Sequence, residues 1–246
     1  MKKRGQVTIF IILAIIIVAG IVSFFIWIKP TMSSKTGARI GFSGCIQDSL
    51  ENKIAELEKT GGIINPQFVY KYQDEEYPYF CYASEYYKQC TMQVPFPDSK
   101  FEEQLEIAIR EEVNACYTES IEELKSQGYD VIQGNINYNI TLEQDGIRMK
   151  IDAPTVVGSQ SFARFNVKLD TPIYEMTMIA TSILQYETSY GDSDTDTLTT
   201  LYPDYKITKI KTGNGSTLYE IESKLYKNKY RFASRSLVFP PGYDIQ

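Results

Sequence analysis

The stretch VTIFIILAIIIVAGIVSFFIWI, Val7 to Ile28, runs for 22 residues without a charge, and Met1-Lys2-Lys3-Arg4 stands close in front of it. At about 1.5 Å per residue, a helix of this length reaches roughly 30 Å, the thickness of a bilayer's hydrocarbon core. Three cations ahead of the run and the long remainder behind it predict an N-terminus inside and the remainder outside. The expected order is therefore a cytoplasmic basic tip (1–6), a transmembrane helix (7–28), a flexible linker (29–43) and an extracytoplasmic domain (44–246). A cleaved secretory signal fits less well. Its apolar region spans about 7–15 residues and ends at a small-x-small site, whereas here the only small pair, Ala19-Gly20, lies mid-run. Trp27 and Lys29-Pro30 close the run with residues typical of a membrane interface.

Charge divides unevenly along the chain. The four cations ahead of Pro30 have no matching acids, which leaves 21 basic and 31 acidic residues from there on, a balance of −10. Nucleic acid, whose phosphates need Lys and Arg clusters, is thereby excluded as the expected partner. Apolar residues make up 43% of the chain, enough to build a packed core, so the outer region is expected to be globular.

All four cysteines, Cys45, Cys81, Cys90 and Cys116, fall in the part expected outside. An even count in a non-cytosolic region reads as two disulfides, with three pairings possible. Cys81 and Cys90 flank a span short enough to clip a hairpin or loop. Cys45 and Cys116, each within a helical pattern, would then join two helices. No Cys-x-x-Cys pair and no histidine occur, which disfavours zinc.

Periodicity outlines the outer region. Ile46, Leu50, Ile54 and Leu57 predict a helix over 44–60, ended by Gly61. Phe68 to Tyr72 and Tyr77 to Tyr82 predict two strands around a turn. Pro95 and Pro97 precede a helix expected to run from Asp98 or Ser99 to about Gln127. A β segment over 129–142 turns at Gln144-Asp145-Gly146 and returns over 147–153, followed by a strand over 161–170. Pro172 opens a helix reaching about Thr188, and 191–200 reads as a polar loop. Strands over 205–212, 217–225 and 230–239 complete the pattern. Helices and antiparallel hairpins in separate runs give an α+β domain rather than a doubly wound sheet.

Chemistry-bearing motifs are sparse. Without histidine, Ser-His-Asp and Cys-His catalysis are excluded within the chain. No P-loop or dinucleotide fingerprint occurs, and pairs such as Glu102-Glu103 read as solvated helix faces. The expectation is a non-enzyme with no catalytic residues and no cofactor. Asp192, Asp194 and Asp196 alternate like the start of a calcium loop, but Thr197 and Pro203 stand where the sharp-turn Gly and the bidentate Glu belong. They are a weak calcium candidate in a chain otherwise expected to hold no metal. Tyr70, Tyr72, Tyr77, Tyr79, Tyr82, Tyr86 and Tyr87 form the best candidate binding surface, since tyrosine offers apolar area and a hydroxyl together. The alternative is a hairpin whose rings pack on one another. Asn139-Ile140-Thr141 and Asn214-Gly215-Ser216 are glycosylation sequons.

Two resemblances add to this. Lys3-Arg4-Gly5-Gln6-Val7-Thr8-Ile9-Phe10, with the apolar run behind it, resembles the class III signal of archaeal type IV pilin-like proteins. That resemblance implies cleavage between Gly5 and Gln6, with the helix kept on the mature subunit of a filament. The whole pattern also resembles uncharacterised single-pass membrane proteins of small-genome archaea, which implies the architecture and no activity. It consists of the basic start, one apolar helix, a helix opening at Cys45 and a second helical cysteine at Cys116. The reading is thus a structural or interaction protein held in the bilayer through 7–28. It would meet an envelope or surface protein or glycan, the alternative being a pilin-like subunit.

Overall fold

The computed structural model describes Val18 and residues 37–240. The expected span 7–28, apart from Val18, and the Gly5-Gln6 junction lie outside the described residues. Among the described residues, no helix is long and apolar enough to cross a membrane. By contact the chain divides into two compact units, Met1–Gly41 and Phe42–Gln246, and the sheets, disulfides and groove described below belong to the second.

The first helix, α1 (Gly37–Glu58), starts inside the stretch expected to be a flexible linker. Phe42 is the reason within the second unit. It lies four residues before Ile46 and extends the stripe Ile46, Leu50, Ile54 and Leu57, all of them buried. Its ring packs edge-on to Phe165 at 5.2 Å and to Tyr117 at 6.0 Å, anchoring a turn whose sequence reads as polar.

A first sheet has six strands: β1 (Val69–Tyr72), β2 (Glu75–Tyr82), β3 (Thr91–Met92), β8 (Tyr205–Lys211), β9 (Thr217–Ser223) and β10 (Lys229–Arg235). Their order is β1-β2-β10-β9-β8, with β3 also on β2. Gln73 and Asp74, both at positive φ (49° and 66°), make the tight β1–β2 hairpin turn. All pairs are antiparallel except β2 with β10, a departure from the hairpin-only expectation. The final strand ends at Arg235 rather than near Phe239.

A second sheet of four strands joins β4 (Val131–Gln133), β5 (Asn137–Glu143), β6 (Gly146–Val157) and β7 (Gln160–Leu169). The segment expected as one strand over 129–142 is broken between Gln133 and Asn137, where the Gly134 amide instead bonds the Pro154 carbonyl at 2.7 Å. The helix expected over 98–127 is two: α2 (Pro97–Ala108) and α3 (Arg110–Ser126), jointed at Ile109. α2 covers the outer edge of β5. The Glu106 and Glu102 carboxylates accept from the Ile140 and Leu142 amides at 2.8 and 2.6 Å, which blocks pairing with another strand there.

Helix α4 (Ile173–Tyr190) lays Ile173, Met176, Ile179, Ala180, Ile183 and Leu184 against the core. It packs on β2, β9, β10 and α2. Stacked rings fill the layer beneath it, with Phe232 4.9 Å from Phe80 and 5.2 Å from Tyr219. The expected loop over 191–200 contains a short helix, α5 (Thr195–Leu201). Asp194 starts it by accepting from the amides of Asp196 and Thr197, both at 3.1 Å.

Both disulfides sit in this frame. Cys45–Cys116 joins α1 to α3 with 6.0 Å between Cα atoms, and Cys81–Cys90 closes the turn between β2 and β3 at 5.3 Å. This is the pairing in which the near pair clips a turn and the distant pair ties two helices.

Candidate binding groove

Perfect alternation along β2 would put Tyr77, Tyr79 and Cys81 on one face and Tyr82 on the other. The β2–β10 ladder departs from this. Ala233 faces Tyr79 while the next residue, Ser234, faces Cys81, so Phe80 is an extra residue, a β-bulge. The bulge brings Tyr82 to the same side as Tyr79, with ring centroids 5.0 Å apart. Phe68 closes a triangle with them, at 4.6 and 4.7 Å.

Arg235, opposite Tyr82, is the centre of the arrangement. Its guanidinium carbon lies 5.7 Å from the Tyr82 ring centroid and 5.8 Å from that of Tyr86, within cation–π range of both. One guanidinium N–H donates to the Ala83 carbonyl, and Nε donates to the Asn214 carbonyl at 3.3 Å. The side chain thus joins the disulfide-closed turn 81–90 to the β8–β9 turn. No described carboxylate lies within ion-pair distance of it.

Around Arg235 opens a groove of about 1010 Å³, lined by Tyr79, Tyr82 and Tyr86, the turn from Lys211 to Thr217, Asp192, and the strap from Ser236 to Pro240. Two glycines at positive φ seat that strap. Gly191 (φ 79°) ends α4, and a Cβ there would strike Leu237; Gly215 (φ 83°) lies against Val238 in the same way. Backbone bonds hold the strap to the disulfide turn, Leu237 amide to Lys88 carbonyl at 2.7 Å and Tyr87 amide to Val238 carbonyl at 2.9 Å.

Under the groove lies a buried carboxylate, Glu187, 1% exposed. It accepts from the Tyr219 hydroxyl and from the Ser234 hydroxyl at 2.7 Å, and Ser193 meets Tyr219 at 2.8 Å. Burial pushes the Glu187 carboxyl above its ordinary range, and the two hydroxyls offset part of that rise. Burial likewise raises the Tyr219 phenol, with the Glu187 charge adding to it.

The seven tyrosines named from sequence fall into three settings. Tyr77 and Tyr79 are buried at 5% and 8% exposure and pack with Leu218, Ala233 and the half-buried Tyr70 and Tyr72. Tyr79 also bonds Ser216 at 2.8 Å. Tyr82 and Tyr86 form the wall beside Arg235, and Tyr87 meets Phe239 at 5.4 Å. Part of the cluster is core and part is wall.

Asp192, Asp194 and Asp196 do not converge. Asp192 pairs with Lys209 at 2.5 Å and Lys211 at 2.9 Å, and Asp194 caps α5. Burial alone would raise Asp192, but the hydrogen bonds and charges of the two lysines outweigh it and hold the carboxyl below its usual range. Among the described residues, no three acids, cysteines or histidines are placed to share a metal ion. Both sequon asparagines are exposed. Asn139 stands on β5, and Asn214 stands on the groove rim, where its Oδ1 accepts from the Ser216 amide at 3.0 Å.

Arg235 and Lys211 escape a reading of the sequence, and Asn214 is read there only as a sequon, because only the parallel β2–β10 pairing brings them beside the tyrosines. Comparison with protein-family models, with curated proteins and with solved structures finds no match to this chain.

Proposed function

We propose that this chain is a membrane-anchored interaction protein of the cell envelope, held in the bilayer through 7–28 and displaying its α+β domain outside the cell. The observation that carries the reading is Arg235 clasped between Tyr82 and Tyr86 at the mouth of a groove. Rings, hydroxyls and one fixed cation are recognition chemistry. Several of the groove's other polar groups are committed: Asp192 to two lysines, Ser216 to Tyr79, Thr212 to the Ser216 carbonyl and Ser236 to the Glu187 carbonyl. That favours binding over turnover. The two disulfides support an oxidising compartment.

A photo-crosslinking residue at position 86, installed in intact cells, tests this. Adducts with envelope material are expected from position 86 and not from position 125, an exposed site on α3 away from the groove. Equal adducts from both, or none from position 86, would contradict the groove's role.

A pilin-like subunit is the second reading. It is favoured by the resemblance of Lys3 to Phe10 and by a helix that begins as early as Gly37. N-terminal sequencing of the protein from its native membrane decides it. A start at Gln6 supports the filament, and an uncut start excludes it.

A further inference from the structure

We propose that the groove binds an acidic glycan, a chain of sugars bearing carboxylates, with Arg235 as the carboxylate grip and Tyr82 and Tyr86 as ring platforms. The inference rests on the interaction reading above and names its ligand class.

Four observations carry it. The first is the state of Arg235. A guanidinium has five N–H donors, and here two are spent on the Ala83 and Asn214 carbonyls. Three remain, on a fork already fixed in direction by two backbone bonds and two rings. A fixed fork is suited to a planar carboxylate, and holding it in advance lowers the ordering cost of binding.

Local charge is the second. The domain is acidic, yet the groove is not. Asp192 is offset by both Lys209 and Lys211, and Glu85, the only acid between Cys81 and Cys90, is paired with Lys88 at 2.7 Å. Among the described residues that leaves a surplus of two positive charges, one from the second lysine on Asp192 and one from Arg235, and an anion is what that surplus favours.

Size and lining are the third. A volume of about 1010 Å³ is at the upper end for ligand sites, more than a lone ion needs. Tyrosine rings, the Ser84 hydroxyl and the Asn214 side-chain amide offer the mixture of flat apolar faces and hydroxyl-reading groups that a sugar ring presents in return.

The fourth observation separates a glycan from an acidic peptide. An extended peptide gains most from a free strand edge. The strands that carry the arginine and its ring platform have none to give there: Tyr82 is paired on both sides, with Arg235 and with Thr91, and β10 lies between β2 and β9. The β2 bulge supports the same conclusion, since it re-aims Tyr82 at the arginine and away from a simple ladder.

The test is titration calorimetry on the full chain in detergent micelles, with a hexamer of galacturonic acid as the probe. Saturable binding is expected, weakened about tenfold or more by methyl esterification of the probe, by R235Q and by Y86A, and weakened by added salt. Tyr86 is 46% exposed, so Y86A leaves the core intact and keeps the test decisive if R235Q disturbs the turn. No saturable binding of the hexamer overturns the proposal. So does equal binding of the methyl ester, or equal binding of a glutamate-rich peptide, which would make the groove a general acid-peptide site. If the hexamer fails while position 86 still crosslinks in cells, the ligand class falls and the interaction reading stands.

Discussion

At the scale of single residues, buried charge is the feature that composition hides. Glu58 ends α1 at 3% exposure, and both its oxygens accept from the Asn228 amide, at 2.6 and 2.7 Å. Burial raises its carboxyl to about 7; the Asn228 bond and the nearby Lys59 charge counter this only in part. A group whose folded pKa is raised stabilises fully below its unfolded value, near 4.5, and that contribution is lost as pH climbs through about 7. The loss amounts to about 3 kcal/mol. Glu102 and Glu187 are also raised, so the wild-type curve has more than one source. The difference between wild type and E58Q isolates this one. Denaturant unfolding from pH 4.5 to pH 8 should show E58Q gaining on wild type by that amount, and parallel curves would refute it. Glu187 gives a second expectation. E187A removes the carboxylate acceptor of the buried Ser234 hydroxyl and leaves Tyr219 with Ser193 as its partner, and should cost about 2–4 kcal/mol in the same assay. Neither carboxylate is legible in a chain with 31 acids, because burial is decided by partners distant in sequence. Tyr82 was legible as a binding candidate, but its partner Arg235 was not, since a bulge leaves no mark in the pattern of residues.

At the scale of elements, the readable parts are those whose signal is local. The α1 stripe from Ile46 to Leu57, the β1–β2 and β8–β9 hairpins and the α4 stripe follow from periodicity and turn residues. Boundaries set by distant contacts were missed. α1 starts earlier because Phe42 meets Phe165, a residue far along the chain; α5 was missed for a different reason, since its cap, Asp194, is local and sits in a segment that reads as polar loop. The disulfides make the long-range element contacts measurable. Cys45–Cys116 closes a separation of 71 residues, and Cys81–Cys90 closes 9. Chain-entropy arguments give about 4 kcal/mol for the first and about 2.5 kcal/mol for the second. Thermal unfolding of C45S/C116S should therefore fall further below wild type than that of C81S/C90S, by roughly 3–6 °C. The short loop has a separate consequence. Opening it frees the turn that positions Tyr86 and the strap, so C81S/C90S should weaken hexamer binding more than C45S/C116S does. The reverse order would mean that the groove does not depend on that clip.

At the scale of the whole molecule, the α+β class was readable because helical and two-residue periods occupy separate stretches. The arrangement into two sheets, and the parallel β2–β10 pair at the centre of the larger one, was not, since strand order is set by which faces bury together. The central claim is that an anchored domain presents the groove outside the cell. All four native cysteines are paired, so an added cysteine is a single addressable thiol. Ser84 lines the groove and is exposed, and Gly5 stands ahead of the apolar run. Treating intact cells that carry Ser84→Cys or Gly5→Cys with a membrane-impermeant maleimide tests the claim directly. The account predicts that Ser84→Cys reacts in intact cells and Gly5→Cys reacts only after lysis. Reaction of Ser84→Cys only after lysis would contradict it.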